Sequence, residues 1–347
     1  MTGRGGRPTR KVPLPKHPGN TYLPFKDLIR LEKIDDRTFR SIALPFAPGG
    51  PLGHVSGNFI LSGELTVPFI YKVHIIRNGR SYSTRTVTVT QSQCKGICFT
   101  CTISFKTPEP QQIESQENFE IFASKYNSIL LSNKSPRDFP ECPSMDLPFY
   151  HANLHSGISQ NDEFPGLECR KVDMTNYNKS LHPLDRRQLI FYRTIGDMPE
   201  NDPNMHLCAH IFATDRNSLY MVANHFEVGD FFTTMSSLAH TVSIHSPMED
   251  LRFGEGRGKG TGAWGDEEDG MGRWFCMEVS GSRMGYGRAL YHGRFWSEDG
   301  RHVMTAMQDG LIRFTKKQEP EDEERRFMDE QNQRWRDQSK RRKDEKL

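Results

Sequence analysis

An α+β architecture with two antiparallel β units follows from three features of the 347-residue chain. Residues Pro68 to Phe105 alternate as three strands: PFIYKVHII, a turn at Asn78-Gly79, RSYSTRTVTVTQ, a turn near Lys95-Gly96, and ICFTCTISF. About two hundred residues later WFCMEVSGS, GRALYHGRFWS, a turn at Asp299-Gly300 and RHVMTAMQDGLIRF repeat the order strand, strand, glycine turn, strand. Arg85 and Arg288 hold matching places about a dozen residues before the turn glycine. Such self-similarity is the signature of a tandem duplication.

Taken in order, residues 1–20 hold Gly, Pro and basic residues and no acidic ones, the composition of a disordered basic arm. Prolines at 8, 13, 15 and 18 oppose the amphipathic helix of a mitochondrial transit peptide. The first β unit spans 21–110, and within it a short helical segment, DLIRLEKID, lies between Phe25 and Ile42. Residues 111–186 are rich in Pro, Ser and Asn and read as a linker wrapping the surface, with one helix over 117–131. The second unit spans 187–315. In HIFATDRNSLYMVANHF, Thr214 and Asp215 supply capping chemistry, and Leu219, Val222, Ala223 and Phe226 follow at helical spacing. A helix of about three turns is therefore expected to start there and pack its apolar stripe on the sheet. SSLAHTVSIH then alternates, with Leu238, His240, Val242 and Ile244 on one face and Ser237, Ala239, Thr241, Ser243 and His245 on the other. Residues 253–272 form a Gly-rich insertion, and 316–347 a charged tail.

Composition excludes several classes of function. A net charge of +2 is too balanced for a chain that grips nucleic acid along its length. No apolar run approaches the roughly eighteen residues of a membrane span, and the N-terminus has no apolar signal region. Seven scattered cysteines suit reduced thiols in an intracellular compartment, where the sequons at Asn133 and Asn178 stay unused.

Within RHVMTAMQDG the residues Met304 and Ala306 share a face with Gln308, so a carboxamide continues an apolar row. Other constellations carry less. Cys94, Cys98 and Cys101 have a loosely metal-like spacing, but Cys98 and Cys101 stand an odd number apart on a strand and should point to opposite faces. Gly260-x-Gly262-x-x-Gly265 follows no βαβ unit. The pairs His151/His155 and His206/His210 lack the Glu of a zinc-protease helix and read as chance spacing; His240 reads as a packed core histidine.

The order helix, SSLAHTVSIHS, WFCMEVSGS, GRALYHGRFWSEDG and RHVMTAMQDGLIRF resembles the second half of the type II acyl-CoA thioesterases, double-hotdog proteins of bacteria and peroxisomes. HVSGNFILSGELTVPFIYKVHIIRNGRSYSTRTVTVTQ resembles their first half, so the likeness covers 25–105 and 187–314. It implies a double hotdog, two antiparallel sheets each wrapping a central helix. It implies an Asp at the start of the second-half helix, a hydroxyl on the next strand and a Gln before an acidic-Gly pair, which hold the attacking water. Position by position these are Asp215, Ser237 and Gln308. Taken singly each has a plainer reading: a helix N-cap, a solvent-facing strand residue, and an amide bonded to an edge strand.

The resemblance further implies hydrolysis of medium- to long-chain acyl-CoA to free fatty acid and CoA. A thioester carbonyl is already electrophilic, so an oriented water, a base and oxyanion donors suffice. No cofactor and no metal is expected. The chain departs from the family between Phe39 and His54: SIALPFAPGGPLGHVSGNF has no ten-residue apolar-periodic segment, and the first hotdog is expected to lack its core helix. Two alternatives stay open. One is a hotdog enoyl-CoA hydratase, although Tyr220 stands where its His proton donor would be; the other is an inactive acyl-CoA-binding remnant. Expected partners are the acyl-CoA substrate, a further copy in a homo-oligomer, and a peroxisomal import receptor. The ending Glu345-Lys346-Leu347 keeps the basic-then-Leu form of peroxisomal signals, with Glu in place of the usual small residue. Peroxisomal delivery is the expectation, with the cytoplasm as the alternative.

Overall fold

The computed structural model describes residues 24–42 and 55–314, except 65, 94–95, 108, 118, 131–134, 158–164, 230 and 255–271, together with scattered positions between 326 and 337. The basic arm, the segment 43–54 on which the missing-helix expectation falls, Cys94, Asn133, the body of the Gly-rich insertion, nearly all of the tail and its Glu-Lys-Leu ending lie outside the described residues.

Twelve described strands form one antiparallel sheet. They are β1 (Leu31–Lys33), β2 (Thr38–Ser41), β3 (Val55–Phe59), β4 (Ile70–Asn78), β5 (Tyr82–Thr90), β6 (Ile97–Lys106), β7 (Leu167–Lys171), β8 (Gln188–Thr194), β9 (Thr234–Ile244), β10 (Phe275–Gly285), β11 (Arg288–Ser297) and β12 (His302–Arg313). Their spatial order is β1-β2-β4-β5-β6-β3-β9-β12-β11-β10-β8-β7. Counted outward from the β3·β9 pair, one half reads 3, 6, 5, 4, 2, 1 and the other 9, 12, 11, 10, 8, 7. Adding six to each label converts the first series into the second, so the duplicated pattern is a duplicated topology. Arg85 and Arg288 indeed fall on the equivalent strands β5 and β11. This is the strand layout of a double hotdog.

The connections that lead into the central strands β3 and β9 differ in length. Residues 195–233 join β8 to β9 and hold α5 (Pro203–Thr214) and α6 (Ser218–His225); residues 42–54 join β2 to β3. The earlier helices are α1 (Phe25–Leu28), α2 (Phe119–Leu130), α3 (Pro148–His155) and α4 (Thr175–Asn178). α1 corrects the expectation of a helix through DLIRLEKID: only one turn forms, and Leu31–Lys33 instead pairs with β2 at the sheet edge.

α5 and α6 lie on one face of the second half, burying Leu207, Ile211, Met221 and Val222 against Met277, Tyr291, Phe295, Met304 and Ile312. Close approach is possible because two strand residues are glycines. A Cβ on Gly310 would stand 2.4 Å from Leu219 Cδ1, and one on Gly281 would stand 3.0 Å from Val222 Cγ1.

The opposite face of the same half is also covered. Phe122 and Tyr126 of α2, with Phe139, Val172 and Met174, pack on Leu189, Phe191, Trp274, Cys276 and Trp296. The stretch read as a surface linker thus supplies both a second core and the strand β7. β8 is consequently buried along its whole length, which explains the continuous apolar run LIFY in place of an alternating one. At the centre of this layer Glu278 accepts from Tyr126 Oη at 2.5 Å and Lys125 Nζ at 2.9 Å, and pairs with Arg294.

In the first half, Val87, Val89, Phe99, Cys101 and Ile103 form a third buried cluster. Cys98 and Cys101, expected on opposite faces, both bury there because the β5·β6 ladder slips one residue, pairing Val89 with Phe99 but Thr90 with Ile97.

Candidate active site

Gln308 stands in β12 with no exposed surface. The alternation expected for this strand holds: Met304, Ala306, Gln308, Gly310 and Ile312 are buried, with Gln308 on the side that meets α6. Its direct neighbours across the sheet are Tyr291 on β11 and His240 on β9.

Ser237 reaches the same side through a register break. Strict alternation would turn it away from His240, as the sequence suggested. Gln308 pairs with His240 and Asp309 with Ala239, but Gly310 pairs with Ser237, leaving Leu238 without a partner on β12. One extra residue reverses the alternation below it. Ser237 therefore joins Gln308 on the helix side.

Asp215 arrives from above. It does not begin the helix, as capping chemistry suggested; it is the C-cap of α5, and Asn217 in the left-handed region at φ 56 turns the chain into α6 three residues later. Asn tolerates that conformation better than most residues. The joint is anchored from below: Arg216 donates to the carbonyls of Cys142, Pro143 and Ser144, and Asn217 Nδ2 to that of Pro143 at 3.1 Å.

The three residues meet at one amide. Gln308 Nε2 donates to Asp215 Oδ1 at 2.6 Å and to Ser237 Oγ at 2.7 Å. Ser218 Oγ donates to Asp215 Oδ1 at 3.4 Å. Gln308 Oε1 is buried and meets no donor among the described residues, so it is available as an acceptor. Burial pushes the Asp215 carboxyl above its ordinary range, against the opposing pull of His240 and of the Gln308 and Ser218 hydrogen bonds. Burial also holds His240 below the ordinary histidine value and raises the Tyr291 phenol.

His206 and His210, read as chance spacing, sit on one buried face of α5. The Phe253 N–H donates to His206 Nδ1 at 3.1 Å, and His210 bonds Tyr192 Oη at 2.7 Å and the Leu251 carbonyl at 2.8 Å. They fasten the segment that leads into the Gly-rich insertion. Sequence reasoning gave Thr214 only a capping role and did not find the anchoring roles of Arg216 and Asn217. An Arg-Asn pair between two apolar runs was the available signal.

Profiles of two families match the chain: the acyl-CoA thioesterase N-terminal domain over residues 37–106 and the acyl-CoA thioesterase C-terminal domain over 169–312. Among curated relatives, mouse acyl-coenzyme A thioesterase 8 is 26% identical over 258 residues, covering 74% of this chain and 71% of the relative. Acyl-CoA thioesterase 2 of Haemophilus influenzae is 24% identical over 316 residues, covering 83% and 96%. The fold is similar to that of the acyl-CoA thioesterase II TesB2 from Mycobacterium marinum, with a TM-score of 0.57 at 19% identity over 85% of this chain and 99% of that one.

Proposed function

This chain belongs to the type II acyl-CoA thioesterase family and is a thioester hydrolase, and we propose that Asp215, Ser237 and Gln308 hold and activate the water that attacks the acyl-CoA carbonyl. The observation that supports this assignment is the single Gln308 amide nitrogen within hydrogen-bond reach of both other side chains. Three polar groups from three separate elements, spread over residues 215 to 308, meet beneath α6 on a largely apolar sheet face that also carries His240 and Tyr291.

The chemistry divides among them. The Asp215 carboxylate takes the proton of the water as the oxygen attacks, and the raised affinity of this carboxyl for protons makes it a stronger base than a solvated one. Gln308 fixes both Asp215 and Ser237 through its amide hydrogens and offers Oε1 to the hydrogen that the water retains. The N-terminal end of α6, three residues from Asp215, faces negative charge favourably and suits the developing oxyanion. Collapse of the tetrahedral intermediate expels the CoA thiolate and leaves the free acid. No covalent acyl-enzyme is needed.

Medium- to long-chain acyl-CoA is the proposed substrate, fatty acid metabolism in the peroxisome the proposed setting, and the import receptor and a further copy of the chain the proposed partners. The test is CoA release from palmitoyl-CoA, followed with a thiol-detecting reagent. Asp215→Asn, Gln308→Ala and Ser237→Ala should each lose roughly 100-fold or more in kcat, the scale of removing one oriented catalytic group. Tight acyl-CoA binding without release by the unaltered protein would instead mark an inactive remnant.

A further inference from the structure

Four residues close a ring around the candidate base. Thr214 is joined to Asp215 by the chain; Asp215 Oδ1 accepts from Gln308 Nε2 at 2.6 Å; Gln308 is the direct β-ladder partner of His240; and His240 Nε2 lies 2.8 Å from Thr214 Oγ1. The direction of the last contact follows from proton counting. Thr214 has one hydroxyl hydrogen, and it goes to the Ile211 carbonyl at 2.6 Å, closing the final turn of α5. The hydroxyl can then only accept from His240, so the imidazole donates through Nε2–H. A buried side chain on the central strand β9 thereby ties the last residue of α5 to the sheet.

Asp215 has few side-chain partners of its own. It is the C-cap of a helix, followed by a left-handed residue, and its only other described side-chain bonds are from Gln308 and the long contact from Ser218. The Gln308 bond fixes where Oδ1 ends. The His240–Thr214 bond fixes where the backbone of the joint begins. Arg216 and Asn217 hold the far side of the joint, so releasing the His240–Thr214 bond frees only its α5 end, enough for the carboxylate to shift while the amide follows.

We propose that His240 is a positioning residue for Asp215, acting through the Thr214 hydroxyl, a role that rests on the assignment of Asp215 as the base. It requires neither contact with substrate nor a change of charge. A misplacement of about 1 Å can cost roughly 100-fold in turnover, so the effect of cutting this tie falls on kcat.

The experiment compares palmitoyl-CoA hydrolysis by the full chain carrying His240→Leu, His240→Gln, Thr214→Val or the double change His240→Leu/Thr214→Val, with thermal unfolding measured on each. His240→Leu should lower kcat about 10- to 100-fold with KM changed less than about threefold. His240→Gln, whose amide also donates to Thr214, should recover most of the turnover. The double variant should be no slower than His240→Leu alone, because both changes cut one bond. Should His240→Leu fail to fold, Thr214→Val, which is nearly isosteric, carries the same expectation. Turnover within twofold of the unaltered protein in Thr214→Val, multiplying losses in the double variant, or no recovery by Gln would overturn the role. Asp215→Asn serves as the separate control: if it stays active, the base assignment itself falls, whereas an inactive Asp215→Asn beside a fully active Thr214→Val removes only the role of His240.

Discussion

Ser237 faces Gly310 across β9 and β12, one position out of step with the His240–Gln308 pair beside it, because Leu238 is passed over by the ladder. That single slip decides which side of the sheet the hydroxyl occupies. Deleting Leu238 leaves Ser237 two positions from His240, so regular alternation alone keeps the hydroxyl on the side of Gln308. The deletion should therefore retain more CoA release than Ser237→Ala, with the circular dichroism spectrum still that of a β-rich fold. Turnover no better than that of Ser237→Ala would show that the extra residue itself shapes the site.

The raised proton affinity of Asp215 has a kinetic consequence. The base works only as the carboxylate, so kcat/KM should fall on the acid side at a pH above the roughly 3.9 of an ordinary aspartate. A pH profile checks this, and Ser237→Ala, which removes none of the desolvation, should keep the same acid limb at a lower plateau.

The same shift has a sign for stability. A carboxyl whose folded-state value lies above its unfolded value favours the fold fully below the unfolded value, and that contribution disappears as pH rises through the folded one. At neutral pH the buried charge is therefore a liability. Asp215→Asn should raise the melting temperature at pH 7 while abolishing turnover, and the gain should shrink as the pH approaches 4. Equal melting curves at pH 7 would contradict the desolvation argument.

Glu278 behaves in the opposite sense. Burial raises its value, but the Tyr126 hydrogen bond and the charges of Arg294 and Lys125 outweigh that and hold it below the ordinary glutamate range. Its stabilising contribution is present above the unfolded value and lost as pH falls through the folded one. Glu278→Gln should cost about 3 kcal/mol in urea unfolding, the low end for breaking a buried ion pair, since Lys125 and Arg294 are about a third exposed and can rehydrate. A cost below about 0.5 kcal/mol would mean that α2 is held by its aromatic residues alone.

Gly310→Val places a branched side chain where even a Cβ would meet Leu219. The helix must lift or Leu219 must leave its rotamer, and overpacking of this kind typically costs about 1–3 kcal/mol. Because Gly310 adjoins Ser237, turnover should fall together with stability. Unchanged denaturant midpoints would show that α6 sits farther from β12 than described.

Much of this arrangement was legible in the chain. Strands with dense alternation, such as β5 and β12, were placed from period alone, and the duplicated order was visible from turn glycines and the two arginines. Asp215 and Ser237 could be named only through resemblance, since each is an ordinary residue in its local pattern; Gln308 stood out as a carboxamide in an apolar row, but its role too came from the resemblance. Two features resisted. α5 is buried nearly all round, so Met205 to Thr214 shows no amphipathic contrast to mark a helix. The bulge at Leu238 leaves no trace in residue type, because what sets it is the partner strand. The linker misled for a related reason: its prolines and serines are those of a loop, yet Phe122, Tyr126 and Phe139 are spaced widely enough to hide a core among them.

The β3·β9 seam settles what would happen if the chain were cut. Parted from the first half, β9 becomes an open border eleven residues long, with four backbone partnerships at Ala239 to Val242 left vacant. Severed halves should seek each other or pair with themselves, since two identical edges running in opposite directions satisfy an antiparallel ladder. A protein of this shape is in effect a dimer whose subunits have been spliced into one polypeptide, and its first half serves the second as a permanent companion.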